Sequence, residues 1–115
     1  MTDVTETKGA SSLGSMLASH KPGEPTRFGR IFKPDDSLHG FSVDVVDMDT
    51  IAGPHHTHPL GEIDLIMPQD DTATFDGRGA GWLVYGPGSA HSPTVAGGRA
   101  LVLYLLPEGR IEFTR

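Results

Sequence analysis

Short apolar runs alternate with turn residues along the chain from Arg27 onward. Seven runs carry most of the apolar side chains: RFGRIF, FSVDVVDM, EIDLIM, TATF, GWLVY, RALVLYLL and RIEFT. Clusters rich in Gly, Pro and Asp, such as PQDD, DGRG and GPGS, follow them, and no run keeps a 3.6-residue period. The pattern therefore predicts an all-β, single-domain fold over residues 25–115, a small jelly-roll barrel of seven or so short strands.

Residues 1–24 differ from the rest of the chain in their pattern of apolar side chains. They carry few large apolar side chains, and only Leu13, Met16 and Leu17 follow a helical spacing, which Gly14 and several serines dilute. This predicts a flexible N-terminal arm with room for one short helix. The arm lacks the basic start and apolar run of a signal peptide, and no stretch approaches the ~20 apolar residues of a membrane helix. The expected location is the cytoplasm.

Composition narrows the expected partners. The 115 residues carry a formal net charge of -6, and the nine Lys and Arg are scattered, which disfavours a nucleic-acid surface. The chain has no cysteine, which excludes thiolate metal sites, thiol catalysis and disulfides. Small molecules are the expected ligands. Because a small barrel can cover its edge strands by pairing with a second copy, we also expect a homodimer.

The stretch GPHHTHPLGEIDL concentrates histidine and carboxylate side chains. Strand alternation places His56 and His58 on one face and His55 on the other. A turn through PLG could bring the carboxylate of Glu62 back beside the two imidazoles. A fourth ligand has to come from elsewhere, and His91, after the glycine turn in GPGSAHSP, is the candidate. These four residues predict a metal site.

The ligand set restricts the metal only partly. Imidazoles and a carboxylate, without thiolate, suit one divalent transition metal, and Fe, Mn, Ni, Co, Cu and Zn all remain open. Four protein ligands in an octahedral sphere would leave two positions for substrate.

Asp64 follows Glu62 by two positions, so a regular strand turns both inward. A second inward carboxylate is costly to bury unless it is paired, hydrogen-bonded or protonated, and such groups are often tuned acids or bases. Asp64 is therefore a candidate general acid/base or orienter of a ligand histidine, and a bulge that turns it to solvent is the alternative.

Other side chains are candidates for binding substrate. Trp82 and Tyr85 are three positions apart and cannot share a strand face, so one of them could line a pocket for an aromatic ring. Tyr104 could reach the metal from a strand after His91. Arg27 and Arg30 could hold a carboxylate. Core packing for the aromatic residues and a solvated strand end for the arginines are the alternatives.

These motifs resemble those of the cupin superfamily. His56, His58 and Glu62 match its first motif, and GPGSAH approximates the second through Gly88 and His91. Four positions depart from the usual residues, namely Thr50, Gln69, Gly86 and Val95. The resemblance implies a cupin barrel that uses the four predicted ligands.

A closer resemblance is to the small cupins of the 4-hydroxylaminobenzoate lyase family. It rests on FSVDVVDMD, GPHHTHPLGEIDLIMP, FDGRGAGWLVYGPGSAHSPTV and GGRALVLYLLPEGRIEF. It implies a lyase that converts 4-hydroxylaminobenzoate to protocatechuate and ammonia. For such a reaction we expect Asp64 or a metal-bound hydroxide to move protons, and Asp64 and Glu62 to be the catalytic residues. An iron-dependent dioxygenase and a non-catalytic binding module stay open, and oxygen consumption separates the first of these from a lyase.

Overall fold

The computed structural model describes residues 26–114, and these form an all-β fold with a single 3-10 turn at Asp36–Leu38. The predicted arm of residues 1–24 lies outside the described residues. Nine strands are present in the described part: β1 (Thr26–Phe32), β2 (Phe41–Ala52), β3 (His56–His58), β4 (Glu62–Pro68), β5 (Thr74–Phe75), β6 (Gly81–Tyr85), β7 (Ser89–His91), β8 (Thr94–Pro107) and β9 (Glu112–Phe113). No helix among residues 26–114 is long and apolar enough to cross a membrane.

The strands form two antiparallel sheets that face each other. The larger has the order β1-β2-β8-β4-β6, with β5 also pairing with β8, and the smaller has the order β7-β3-β9. The prediction of an all-β jelly roll is thus confirmed, although the two sheets share no strand and do not close into a continuous ring of hydrogen bonds. All seven predicted runs become strands, and β3 and β7 are added by the two histidine motifs.

The two longest strands, β2 and β8, pair with each other in the middle of the larger sheet. Their register runs from Phe41 opposite Pro107 to Ala52 opposite Thr94, with an irregularity between Asp49 and Ile51. Thr50 occupies that irregularity with φ 46°, a left-handed conformation that glycine adopts most easily. Thr50, one of the four departures from the cupin pattern, therefore lies in a backbone conformation that favours glycine.

The central strands of the larger sheet, β2, β8 and β4, are buried on both faces. Its inner face carries the main core, in which Val46, Ile66, Phe75 and Val102 are nearly inaccessible to solvent. Side chains of the opposite parity, including Val45, Leu65 and Leu101, form a second buried cluster on the other face. The inner face of the sheet ends, at one end of the barrel, in polar side chains instead of apolar ones.

Candidate metal centre

Cross-strand register brings the two histidine motifs together. In the smaller sheet His56 lies directly opposite His91, and His58 lies opposite Ser89. Opposed residues in an antiparallel pair have Cβ atoms about 4.5–5.5 Å apart, so the three imidazoles meet on one face. Their ring centroids are 4.7 to 4.8 Å from one another. The alternation that separates His56 and His58 from His55 holds, because His55 points away and pairs with Thr114.

The turn after β3 brings the carboxylate of Glu62 close to the three imidazoles. Gly61 has φ 93° and donates its amide to the carbonyl of His58 at 3.1 Å. A Cβ at Gly61 would lie 2.9 Å from the carbonyl oxygen of Tyr85, so the turn can pass this close to β6 only with glycine. Glu62 begins β4 immediately afterwards and is 1% exposed.

Four ligand atoms converge at one point. Oε1 of Glu62 lies 3.2 Å from Nε2 of His58 and 3.9 Å from Nε2 of His56, and Oε2 lies 3.9 Å from Nε2 of His91. All four candidate ligand atoms lie within 4.8 Å of one another. Ligands held about 2.1 Å from one ion are about 3 Å apart at right angles, so the cluster has the dimensions of a metal-binding site.

The hydrogen bonds of the three imidazoles fix which ring nitrogen carries the proton. Nδ1 of His56 faces the carbonyl oxygen of Pro54 at 3.2 Å, and this acceptor requires a proton on Nδ1. Nδ1 of His58 lies 3.0 Å from Oγ of Ser89, which donates its own proton to the carbonyl of Gly86. Nδ1 of His58 is therefore also a donor, and Nε2 of each ring is left with its lone pair.

The third ring, His91, follows the same arrangement. Its Nδ1 lies 2.6 Å from a carboxylate oxygen of Asp76, and its Nε2 lies 3.1 Å from Nε2 of His56. Two lone pairs at this distance repel each other, and a carboxylate beside them adds more negative charge. Within residues 26–114, Nε2 of His58 and both oxygens of Glu62 are buried without a hydrogen-bond partner. A bound cation would satisfy all of these atoms at once, so the residues fit a divalent metal.

Burial shifts the pKa values of two ionisable groups at the candidate metal centre. It lowers the pKa of His56 to about 4, although the Glu62 carboxylate opposes the shift, so this imidazole is neutral and able to bind a metal at neutral pH. Burial, reinforced by the neighbouring Glu62, raises the pKa of Asp64 to about 10. Asp64 is 0% exposed, so the bulge that would have turned it to solvent is wrong.

Asp76 was missed by the sequence reasoning. It accepts hydrogen bonds from Nδ1 of His91, from the hydroxyl of Tyr85 and, at 2.8 Å, from the amide of Thr94. Burial alone would raise the pKa of Asp76, but these hydrogen bonds hold it below its usual value, so the group is a carboxylate. The only local signal was the Asp-Gly pair in DGRG, which indicates a hairpin turn and nothing about histidine.

An open cavity of about 520 Å³ lies beside the centre. The inner faces of β1 and β2, the segment before β3 and strand β9 line it, and His56 is the member of the ligand set in its wall. Phe28 and Phe113 stand at its rim, 68% and 55% exposed, above apolar side chains such as Val46 and Met48. No local pattern predicts this rim, because β1 and β9 are distant along the chain.

Two of the predicted substrate-binding residues line this cavity. Arg30 bonds Asp44 through Nε at 2.7 Å and Nη2 at 3.0 Å, and Nη1 has no hydrogen bond to residues 26–114. Tyr104 lies opposite both Asp44 and Asp64 in the sheet register, and its buried hydroxyl has no partner in the described residues. Burial raises the pKa of Tyr104, so the hydroxyl is a proton donor at neutral pH.

The other candidates lie elsewhere. Trp82 is 50% exposed on the face of β6 that points away from the cavity. Arg27 projects from the opposite face of β1 to Arg30 and shares Asp47 with Arg99. Tyr85 packs its ring 4.5 Å from that of His91 and 5.4 Å from that of His58. It contacts the ligands from behind and does not line the cavity.

Comparison with known proteins extends these findings. A family model described as "PnbB: 4-hydroxylaminobenzoate lyase" matches residues 6–113. A 4-hydroxylaminobenzoate lyase from Nocardioides sp. (strain LMS-CY) is 36% identical over 98 residues, covering 79% of this chain and 58% of the relative. A second, from Pseudomonas putida, is 34% identical and covers 79% and 60%. The chain therefore spans about three fifths of the length of the curated relatives it matches.

The fold has known counterparts as well. An RmlC-like cupin protein from Ralstonia eutropha JMP134 superposes with a TM-score of 0.59 at 12% identity, covering 84% of this chain and 64% of that one. At this identity the likeness shows the fold alone, and the fold is that of the cupins. Since the family model spans nearly the whole chain, the chain belongs to the 4-hydroxylaminobenzoate lyase family of cupins.

Proposed function

We propose that this chain holds one divalent transition metal at His56, His58, Glu62 and His91 and uses it as a lyase on an aromatic hydroxylamine of the 4-hydroxylaminobenzoate type. The names of the relatives supply the substrate class, and the cluster of ligand atoms supports the metal. We further propose that the protein works as a homodimer in the cytoplasm.

The observation that carries the proposal is the position of the cavity against the cluster. An apolar cavity of about 520 Å³ has the size and lining of a small-ligand site. Its wall contains the imidazole of His56, so a planar ring in the cavity can place one substituent next to the metal ligands. The exposed rings of Phe28 and Phe113 at the rim suit stacking with an aromatic substrate.

The reaction balances without an external oxidant. 4-Hydroxylaminobenzoate and one water have the same atoms as protocatechuate and one ammonia. The N–O and C–N bonds break, two ring carbons gain oxygen, and the nitrogen leaves as ammonia after taking up protons. The protein therefore has to bind the ring, polarise the N–O bond and move protons.

Chain residues can be assigned to these tasks. A bound metal would supply Lewis acidity toward the hydroxylamino group. Asp64, protonated at neutral pH and fully buried beside Glu62, can give a proton to a leaving oxygen or nitrogen. The unpartnered hydroxyl of Tyr104 can donate a hydrogen bond to the substrate. Nη1 of Arg30 can hold the ring carboxylate, although Asp44 already neutralises part of its charge.

The test is an anaerobic assay on protein whose metal content has been measured. Incubation with 4-hydroxylaminobenzoate should release ammonia and protocatechuate in equal amounts. A requirement for oxygen would replace the lyase with the dioxygenase, and tight binding without turnover would leave a non-catalytic module.

A matched pair of variants connects activity with the site. His91→Ala removes one candidate ligand, and His39→Asn changes a histidine that is exposed on a loop. We expect the first to lose bound metal and lyase activity and the second to keep both. If His91→Ala retains its metal and full activity, the site assignment is wrong.

A further inference from the structure

We propose that Asp76 is the positioning residue of this metal centre, and that it holds His91 in the tautomer whose Nε2, which faces the centre, is free to bind a metal, with Tyr85 fixing the carboxylate in place. The inference rests on the proposed metal site and deepens it. It concerns hydrogen bonding to a ligand and assigns Asp76 no contact with substrate.

Backbone geometry places Asp76 with little freedom. Asp76 and Gly77 have φ 50° and 80°, and they form the tight turn in which Phe75 and Arg78 exchange backbone hydrogen bonds. The amide of Asp76 donates to the carbonyl of Thr94 at 2.8 Å, and its Oδ1 accepts from the amide of Thr94 at 2.8 Å. These two bonds tie the residue to β8 and leave Oδ2 facing the centre.

The second carboxylate oxygen receives two donors from the metal site. Nδ1 of His91 lies 2.6 Å from Oδ2, and the hydroxyl of Tyr85 donates to the same atom. The other two ligand imidazoles have neutral acceptors, the carbonyl of Pro54 and the hydroxyl of Ser89. Among the candidate imidazole ligands in residues 26–114, His91 is thus the one whose Nδ1 has a charged partner. A charged acceptor strengthens the hydrogen bond and makes Nε2 a better electron donor to a metal.

Tyr85 couples this carboxylate to the rest of the ligand set. Its ring packs against the rings of His58 and His91, and its backbone lies opposite Glu62 in the register of β4 and β6. One side chain therefore contacts two ligands and the carboxylate that orients one of them. This explains a tyrosine beside the metal ligands that does not line the cavity.

An asparagine at this position would reverse the pattern of donors. With its amide nitrogen at Oδ2, it would face two donors, and His91 could bond to it only through an unprotonated Nδ1. The proton would then sit on Nε2 and block metal binding. The opposite orientation would set the amide nitrogen against the amide of Thr94. The first orientation disfavours the metal-binding tautomer, whereas the second keeps an acceptor for Nδ1 of His91 but loses the hydrogen bond that ties the side chain to Thr94 and the negative charge that strengthens the bond to His91.

The experiment measures Co²⁺ affinity by competition with a chelator and records the visible spectrum of the bound ion. We expect Asp76→Asn to weaken Co²⁺ binding about 10–100-fold and to change the spectrum, as loss of an outer hydrogen bond to a ligand does elsewhere. Tyr85→Phe keeps the carboxylate and the tautomer, so its loss should stay below about tenfold. Asp71→Asn, on an exposed carboxylate, is the charge control and should bind like wild type.

A second measurement needs no variant. Long-range ¹H–¹⁵N NMR spectra of the chelator-treated wild-type protein report which ring nitrogen of His91 carries the proton. A proton on Nδ1 supports the proposal. A proton on Nε2, or Co²⁺ affinity of Asp76→Asn within twofold of wild type, overturns it. Failure of the wild-type protein to bind Co²⁺ or any other first-row metal would instead refute the proposed metal site, and the tautomer of His91 would still decide the role of Asp76.

Discussion

Replacing Asp64 with asparagine should stabilise the metal-free protein, and the gain should grow with pH. Asp64 is fully buried next to Glu62, and neither carboxyl has a hydrogen-bond partner outside this pair within residues 26–114. Two adjacent buried carboxyls cannot both ionise readily, so the folded protein keeps a proton on the pair. Burial and the Glu62 charge raise the pKa of Asp64 from 3.8 to about 10.

The magnitude follows from proton linkage. Between the two pKa values the folded chain binds one proton more than the unfolded chain, so the free energy of unfolding falls by about 1.4 kcal/mol for each pH unit gained. At pH 7 the accumulated cost is about 4 kcal/mol relative to an unshifted group. Asparagine is neutral in both the folded and the unfolded chain. In the folded chain it leaves Glu62 with an uncharged neighbour, as protonated Asp64 does. The advantage of Asp64→Asn should therefore be about 3 kcal/mol larger at pH 8 than at pH 6.

Urea unfolding in excess chelator, followed by fluorescence of the single tryptophan Trp82, measures this difference. Comparison across pH cancels any fixed cost of burying the amide. The control is Asp71→Asn, which removes an exposed carboxylate and should run parallel to wild type. Parallel curves for wild type and Asp64→Asn between pH 6 and 8 would refute the protonated pair.

Three further changes test the cavity, the sheet and the dimer. Arg30→Gln should raise KM for 4-hydroxylaminobenzoate about 10–100-fold, the value of a charge-assisted hydrogen bond, and leave KM for the corresponding amide unchanged; equal effects on both would exclude a carboxylate contact. Asp47→Asn should lower the free energy of unfolding at pH 7 by about 2 kcal/mol, since Asp47 is 4% exposed between Arg27 and Arg99 but Arg99 is partly solvated. Burial alone would raise the pKa of Asp47, but hydrogen bonds from both arginines hold it below its usual value. In urea titrations the stability difference between wild type and Asp47→Asn should therefore be complete at neutral pH. It should vanish as pH falls through the folded pKa of Asp47, below about 3.9. Trp82→Ser, on the exposed face of edge strand β6, should weaken a homodimer in sedimentation experiments, and a monomeric wild-type protein would contradict dimerisation.

Much of the fold could be predicted because strands carry local signals. Each of the seven apolar runs became a strand, and alternation alone separated His56 and His58 from His55. The candidate ligand His91 was within reach of the same reasoning, because a glycine turn precedes it. The register that sets His91 opposite His56 was not, since it depends on pairing between two three-residue strands that are 31 residues apart.

The residues around the ligands were harder to predict for the same physical reason. Asp76 reaches His91 only because the Asp-Gly turn is tied to Thr94 of β8, a contact across 18 residues of sequence. Phe28 and Phe113 meet at the cavity rim from opposite ends of the described chain. Local sequence carries the conformation of each segment, whereas the partners of a side chain across the sheets depend on tertiary packing.

Strand β4 shows how function can invert the usual pattern of a half-buried strand. In EIDLIM the apolar side chains Ile63, Leu65 and Met67 alternate with Glu62 and Asp64, and hydrophobicity alone would turn the carboxylates to solvent. The opposite holds: both carboxylates are within 1% of complete burial, and Leu65 and Met67 belong to the buried cluster on the other face. A strand buried on both faces carries no solvent side to orient it, so only the chemistry of HTH and Glu62 indicates which face is inner. The pH titration of Asp64→Asn measures the free energy that is lost by burying two carboxyls on the inner face of β4. A fold that needed only stability would place apolar side chains at these two positions.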